Sequence, residues 1–184
     1  MRRAEALPPT AQFCILDGDE RRGMNMNIDK PAHISAIAVA LDGSRLSEEA
    51  LPLAVELARQ CQARISLITV LDTQVRERFA EFCRAENLSL GGAVRAYQER
   101  FIGQLREDGL LVAGHVVDLR EDSASGTIRE VAESLDASML VIGSHGRAGV
   151  KRLVLGSTAD ALTRGGHIPV LVVRPTSAEA YAEL

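Results

Sequence analysis

The sequence predicts an α/β fold, a single domain in which an open, mainly parallel sheet of five strands is flanked by helices on both faces. Three observations lead to this prediction. Short apolar runs of strand length alternate with segments of helical periodicity, the connections are short, and the runs lack the polar alternation of a sheet with one solvated face. The 184 residues, 46% of them hydrophobic, supply enough apolar material for one core.

Composition and charge argue against several other classes of protein. Basic residues number 21 and acidic residues 25, a net charge of -4, so no general affinity for nucleic acid is expected. No apolar run approaches the ~20 residues that a membrane span requires, so no membrane partner is expected. Cys14, Cys61 and Cys83 show neither metal-ligand nor disulfide spacing, which favours a reducing cytoplasm.

Residues 1–32 carry no sustained hydrophobic period. Pro, Gly, Asn and both signs of charge are mixed there, so we expect a disordered N-terminal extension. No apolar segment of export-signal type follows the first basic residues, so a cleaved signal is not expected. The domain is predicted over 33–176, with a short C-terminal tail at 177–184.

The first three elements of the domain form a βαβ unit. Residues 34–41 are apolar and end at Asp42-Gly43-Ser44, as expected of a buried strand that runs into a turn. A helix follows, with Ser47 as its expected cap and Pro52 near its start, where the missing N–H group costs least. Residues 65–71 are the second apolar run. Two parallel strands joined by a right-handed crossover are therefore predicted.

The remaining elements repeat this alternation. Residues 72–109 favour helix, and Gly91-Gly92 is expected to break that segment. A further helix is predicted after Ser123. The other strands are predicted at 110–117, 139–142 and 170–173. In such sheets the ligand crevice lies beyond the carboxyl ends of the strands, at the point where strand order reverses. That rule directs attention to Asp42, to 70–72 and to the loop that begins at Gly143.

Two glycine-containing turns follow the fourth predicted strand. Gly143 and Gly146 are separated by two residues, and Gly156-Ser157 follows nine residues later, with Thr158 opening the next helix. Glycines let the backbone approach a ligand closely, and hydroxyls at a helix N-terminus suit an anion. The loop therefore indicates a phosphate site, while the same glycines would also permit two tight turns without any ligand.

The spacing G-x2-G-x9-G-S/T resembles the signature of the universal stress proteins, in their nucleotide-binding branch. The similarity includes residues 40–44, 142–147 and 169–174, and it spans roughly residues 34–175. It implies an adenine nucleotide alpha hydrolase-like, Rossmann-like fold. It also implies ATP bound across the ends of strands one, two and four, with Mg²⁺ accompanying the phosphates rather than held in a protein cage.

The resemblance also implies which residues bind the nucleotide. Asp42 would hold the ribose or base, with Ala40 and Leu41 nearby and Val70 closing the adenine side. The alternative for Asp42 is a turn aspartate with no ligand. The residues that would contact the ribose and phosphates are Ile142, Gly143, His145, Gly146, Arg147, Gly156, Ser157 and Thr158.

The function implied by the resemblance is that of a cytoplasmic, nucleotide-dependent stress-response regulator. It would act as a homodimer through the edge strand at 170–173, together with unidentified protein partners. No Walker lysine motif is present, so no catalytic residue is assigned and at most slow ATP hydrolysis is expected. Two alternatives stay open. One is an interaction module of the same fold that does not bind nucleotide, and the other is an ATP-hydrolysing or phosphate-transferring enzyme that uses Ser144 or Ser157.

Overall fold

The computed structural model describes residues 33–120, 123–144 and 156–174. Within these residues, none of the helices has the length and apolar composition needed to cross a membrane. The elements, in chain order, are β1 (Ala36–Ala40), α1 (Arg45–Glu48), α2 (Ala50–Cys61), β2 (Arg64–Leu71), α3 (Thr73–Ala85), α4 (Leu90–Glu107), β3 (Val112–Asp118), α5 (Ala124–Ser134), β4 (Met139–Gly143), α6 (Ser157–Arg164) and β5 (Val170–Val173).

The strands form a single five-stranded sheet in the order β3-β2-β1-β4-β5. Every pairing is parallel, and β1 lies at the centre, with Val39 beside Leu67 of β2 and beside Val141 of β4. The chain therefore builds outward from β1 through β2 to β3 and then continues on the other side of β1. The predicted parallel α/β fold is confirmed, and the strand order reverses between β1 and β4.

Helices cover both faces of the sheet. On one face, α2, α3 and α4 pack over a core that includes Ile65, Leu67 and Val141. On the other face, α5 and α6 pack over a second core that includes Ala38 and Ile68. Successive residues of a strand point to opposite faces, so the residues facing each side must be apolar when helices cover both faces. This explains why the strands read as unbroken apolar runs.

The start of the first helical region differs from the prediction. Ser47 is not the cap of the helix, because it lies inside the short helix α1, whose first turn is capped by Ser44. The longer helix α2 begins at Ala50, and Pro52 is its third residue, near the start as predicted. The cap was misplaced because the sequence pattern merged α1 and α2 into one helix.

The break between α3 and α4 also differs from the prediction. Gly91 and Gly92 lie in the first turn of α4, where the hydroxyl of Ser89 accepts a hydrogen bond from Gly92 N at 3.2 Å. The chain leaves helical geometry earlier, at Asn87, whose φ is +50°. Asparagine tolerates this left-handed conformation, and the serine cap offsets the low helix propensity of the two glycines. The third strand likewise begins two residues later than predicted, at Val112.

Candidate functional site

A cleft opens at the carboxyl edge of the sheet, between the ends of β1 and β4. Its volume is about 290 Å³, close to the lower limit of small-molecule sites. Its walls come from the ends of β1, β2 and β4 and from the starts of helices α3, α5 and α6. The cleft therefore lies where the reversal of strand order places a ligand site in this class of fold.

Nine of the residues that the resemblance singled out line this one cleft. They are Ala40, Leu41, Asp42, Val70, Ile142, Gly143, Gly156, Ser157 and Thr158. The other three, His145, Gly146 and Arg147, lie outside the described residues. The cleft is also lined by residues that were not predicted to bind the ligand, namely Ser47, Asp72, Gln74, Val75, Ala124, Ile128, Ala159 and Leu162.

Asp42 organises the turn that follows β1. Its Oδ1 accepts hydrogen bonds from Ser44 N, at 2.8 Å, and from the Ser44 hydroxyl. Its Oδ2 lies 3.7 Å from Nη2 of Arg78 on α3. The next residue, Gly43, has φ of +79°, and a Cβ there would lie 2.5 Å from Phe79 Cε2, so the turn requires glycine. Asp42 thus has a structural role, and Oδ2 is the oxygen with capacity left for a ligand.

Helix α1 fixes the position of this turn. Ser47 Oγ donates to Ser44 O at 2.8 Å and accepts from Asp42 N at 3.2 Å. Tyr97 of α4 lies close to α1, with its ring at 72° to that of Phe79 and 5.5 Å between centroids. Burial, followed by the nearby Glu48 carboxylate, raises the pKa of Tyr97, so the phenol stays protonated at physiological pH.

The end of β2 presents a second carboxylate to the cleft. Asp72 caps α3, since its Oδ1 accepts a hydrogen bond from Val75 N at 2.8 Å. Its backbone N donates to Val70 O at 2.9 Å, which turns the chain sharply at the end of the strand. The sequence placed Asp72 at the predicted crevice but gave it no role. Its position as the first polar residue after β2, at the start of a helix, was the available signal.

Backbone hydrogen bonds bring the two ends of the glycine signature together. Ser144 N donates to Val173 O at 2.8 Å, and Gly156 N donates to Ser144 O at 2.9 Å. Gly156 is the N-cap of α6 and offers no side-chain hydrogen bond to its first turn, in which Ser157 and Thr158 are exposed. The N–H groups of that turn, at the positive end of the helix dipole, are therefore suited to an anion.

Gly143 has a different reason to be glycine. A Cβ at this position would lie 2.6 Å from the Leu46 carbonyl oxygen and 3.3 Å from Ser47 Cα, both in the backbone of α1. Close packing of α1 against the end of β4 therefore explains this glycine without a ligand. The neighbouring Ser144 is only 2% exposed, which does not favour the alternative in which its hydroxyl is modified.

The two sides of the cleft have opposite hydrogen-bonding character. The β1–β2 side carries the carboxylates of Asp42 and Asp72, which accept hydrogen bonds, while the α6 side presents N–H and hydroxyl donors. A ligand with donor groups at one end and an anion at the other fits this arrangement. No set of three or more His, Cys, Asp or Glu side chains that could hold a metal occurs in the described segments. In the described part of the cleft the charged oxygen donors are the carboxylates of Asp42 and Asp72, so oxygens of a ligand would have to supply the other positions around Mg²⁺.

Known proteins are similar to this chain over most of its length. Residues 33–174 match the universal stress protein family. A universal stress protein of Methanocaldococcus jannaschii is 26% identical over 177 residues, which cover 91% of this chain and 94% of the relative.

Solved structures share the fold. A crystal structure of a universal stress protein family member from Burkholderia pseudomallei is 27% identical, with a TM-score of 0.56, over 77% of this chain and 96% of that one. A family protein from Arabidopsis thaliana, solved with AMP bound, is 16% identical with a TM-score of 0.58, over 79% of this chain and 94% of that one. The family match covers most of the length of this chain, and the fold agrees with that of the solved family members. The chain therefore belongs to the universal stress protein family.

Proposed function

We propose that this protein is an ATP-binding stress-response regulator that holds the nucleotide in the cleft between β1 and α6. The opposite hydrogen-bonding character of the two sides of the cleft is the observation that carries the proposal. Adenosine offers N–H and O–H donors from its amino group and ribose, and the phosphates offer anionic oxygens. AMP bound to the Arabidopsis relative supports an adenine nucleotide as the ligand class.

The proposal gives each side of the cleft a role. Asp42 Oδ2 would accept a hydrogen bond from a ribose hydroxyl, and Val70 would pack against the adenine ring. The N–H groups and hydroxyls of Ser157 and Thr158 would donate to phosphate oxygens at the positive end of α6. The ligand between the base and the phosphates would be lined by the backbone around Ala40, Leu41, Ile142, Gly143 and Gly156. His145, Gly146 and Arg147 would add contacts at the phosphate end. Mg²⁺ would be carried by the phosphates.

Regulation rather than turnover is proposed because of where the acidic groups lie. Phosphate hydrolysis needs a group that orients or deprotonates water beside the terminal phosphate. The carboxylates of Asp42 and Asp72 that line the described cleft lie on the side away from α6. Hydrolysis of bound ATP is therefore proposed to be slow at most, with no catalytic residue assigned.

We also propose that the protein acts as a homodimer in the cytoplasm. Strand β5 is an edge of the sheet, and Val170–Val173 are four apolar, half-buried residues that pair with β4 alone among the described strands. A second copy of the strand would cover this apolar edge. Cys61 and Cys83 are free thiols, as suits a reducing compartment. Sedimentation velocity of the purified protein tests the dimer.

A second candidate is an interaction module of the same fold that has no nucleotide. The packing of Gly143 against Leu46 favours it, because one glycine of the signature is accounted for without a phosphate. The uncapped N-terminus of α6 favours nucleotide binding instead, since its donors have no side-chain partner in the described cap. The two candidates differ in one measurable property, the affinity for ATP.

The test is a calorimetric titration of nucleotide-free protein with ATP and Mg²⁺, repeated with Gly156→Val. Micromolar binding, about -8 kcal/mol, is expected for the wild type. Gly156 has φ of -58°, which valine adopts, so the variant should fold while its side chain occupies the phosphate path. At least a tenfold loss of affinity is expected.

A matched control is Gly103→Val, an exposed position on α4 where a Cβ meets nothing within 4 Å. It should bind ATP like the wild type. Unchanged affinity in folded Gly156→Val would contradict the phosphate site. A folded wild type that binds no ATP would favour the interaction module.

A further inference from the structure

We propose that Asp72 makes the cleft selective for bases with an exocyclic amino group, such as adenine, over bases with an oxo group at the same position. The inference rests on the proposed nucleotide function and adds the chemical class of base to it. Asp72 would be a specificity-determining residue that contacts the base, while Asp42 would contact the ribose.

The first step is the immobilisation of the Asp72 carboxylate. Oδ1 accepts from Val75 N at 2.8 Å, and the backbone N donates to Val70 O at 2.9 Å. The side chain is therefore anchored at one oxygen and the backbone is anchored at the turn. No hydrogen bond or ion pair with any residue in the described ranges uses Oδ2. That oxygen is a fixed acceptor in a half-buried residue that lines the cleft.

The second step is the orientation of the ligand. If the phosphates lie at the N-terminus of α6, on the β4 side, the base must lie on the opposite side, at the end of β2 and the start of α3. There the side chains of Val70 and Val75, 5% and 3% exposed, form an apolar wall of the cleft. A planar base packs against such a wall and directs its polar edge toward the rim, where Asp72 and Gln74 lie.

The third step is the chemistry of that edge. An ionised carboxylate only accepts hydrogen bonds, so Oδ2 placed opposite the exocyclic group attracts an amino group and repels an oxo group there. Asp42 is less suited to this task, because Oδ1 is already bonded to Ser44 and Oδ2 lies beside the Arg78 guanidinium. Of the two described carboxylates in the cleft, Asp72 is thus the one whose free oxygen faces no cation.

The experiment compares the affinities for ATP and inosine triphosphate (ITP), in which an oxo group replaces the 6-amino group and the neighbouring N1 carries a hydrogen. The comparison therefore tests whether Oδ2 faces the 6-position of the base rather than N1. The variant is Asp72→Asn. Asparagine caps helices as well as aspartate does, so its Oδ1 continues to accept from Val75 N. Its amide NH₂ must then take the place of Oδ2, which exchanges a fixed acceptor for a fixed donor.

The wild type is expected to prefer ATP over ITP by at least tenfold, the range of one well-placed hydrogen-bond pair. In Asp72→Asn this preference should fall by at least tenfold, with ITP binding more tightly than it does to the wild type. The control is Asp118→Asn, which removes the same charge from an exposed strand end on β3, outside the cleft. Its preference should equal that of the wild type.

The outcomes separate this inference from the proposed function. An unchanged preference in Asp72→Asn, or an equal loss of affinity for both nucleotides, would overturn the role of Asp72 and leave a nucleotide site in place. A wild type that binds ATP and ITP equally would do the same. A wild type that binds neither would overturn the proposed function and this inference together.

Discussion

Gly143 and Gly156 belong to one sequence signature, yet their surroundings differ. Gly143 lies where a Cβ would be 2.6 Å from the backbone of Leu46, so the fold itself requires glycine. Gly156 lies at the N-terminus of α6 with an ordinary φ of -58°, although both glycines line the cleft. The fold therefore explains the first glycine, whereas the second has a role only under the proposed function, as part of the phosphate path. If the proposed function is correct, one motif combines a glycine needed for packing with a glycine needed for binding.

The largest effect that follows from this comparison is on stability at Gly143. Gly143→Ala places a methyl group against the Leu46 carbonyl, so α1 or β4 must shift, and we expect a loss of about 2 kcal/mol. Urea unfolding without nucleotide measures it. The control is Gly103→Ala, where a Cβ meets nothing within 4 Å and the helix should gain about 1 kcal/mol. Equal stability of Gly143→Ala and wild type would show that α1 yields without cost, and the distinction between the two glycines would fail.

A smaller effect is expected at Ser44, which connects α1 to the cleft. Its hydroxyl accepts from Ser47 N at 3.1 Å and donates to Asp42 Oδ1. Ser44→Ala should lower the free energy of unfolding by about 1 kcal/mol through loss of the cap. It should also weaken ATP binding severalfold, because Asp42 loses a group that orients its carboxylate.

Ser89→Ala is the matched control, because Ser89 caps α4 at an exposed site away from the cleft. It should cost a similar amount of stability and leave the affinity for ATP unchanged. Equal ATP affinities in the two variants would mean that the orientation of Asp42 does not depend on Ser44. The turn after β1 would then be structural only.

The sequence predicts the fold better than it predicts the reasons for individual residues. All five strands were located, because parallel strands buried on both faces are marked by local apolar runs. The Gly91-Gly92 break was wrong, since glycine is a poor helix former but is tolerated in a first turn capped by Ser89. That cap requires coordinates to be recognised.

For the candidate site as well, the sequence predicts the location better than the roles of individual residues. The rule for parallel sheets identified the crevice, and nine predicted residues do line one cleft. The packing of Gly143 on Leu46 could not be predicted, because it joins segments that lie far apart in the chain and meet only in the folded sheet. Nor could the sequence show that one oxygen of Asp72 is used by Val75 N while the other is free.

The smallest effect is expected at Tyr97, whose hydroxyl tests whether α1 is positioned by packing against Gly143 or by a polar contact. The Tyr97 hydroxyl is buried near Glu48 without a well-formed hydrogen bond to any described residue. A buried hydroxyl without a well-formed hydrogen bond has no such bond to lose, so Tyr97→Phe should not lower the free energy of unfolding by more than about 0.5 kcal/mol and should leave ATP affinity unchanged.

Thr69→Val is the contrasting variant for Tyr97→Phe. Thr69 is fully buried, and its Oγ1 accepts from Gln98 Nε2 at 2.9 Å, so its removal should cost about 1–2 kcal/mol by leaving a buried amide under-satisfied. Thermal unfolding of both variants makes the comparison. If Tyr97→Phe lost as much stability as Gly143→Ala, the phenol would be holding α1 in place. The glycine at 143 would then be accommodating that helix rather than positioning it.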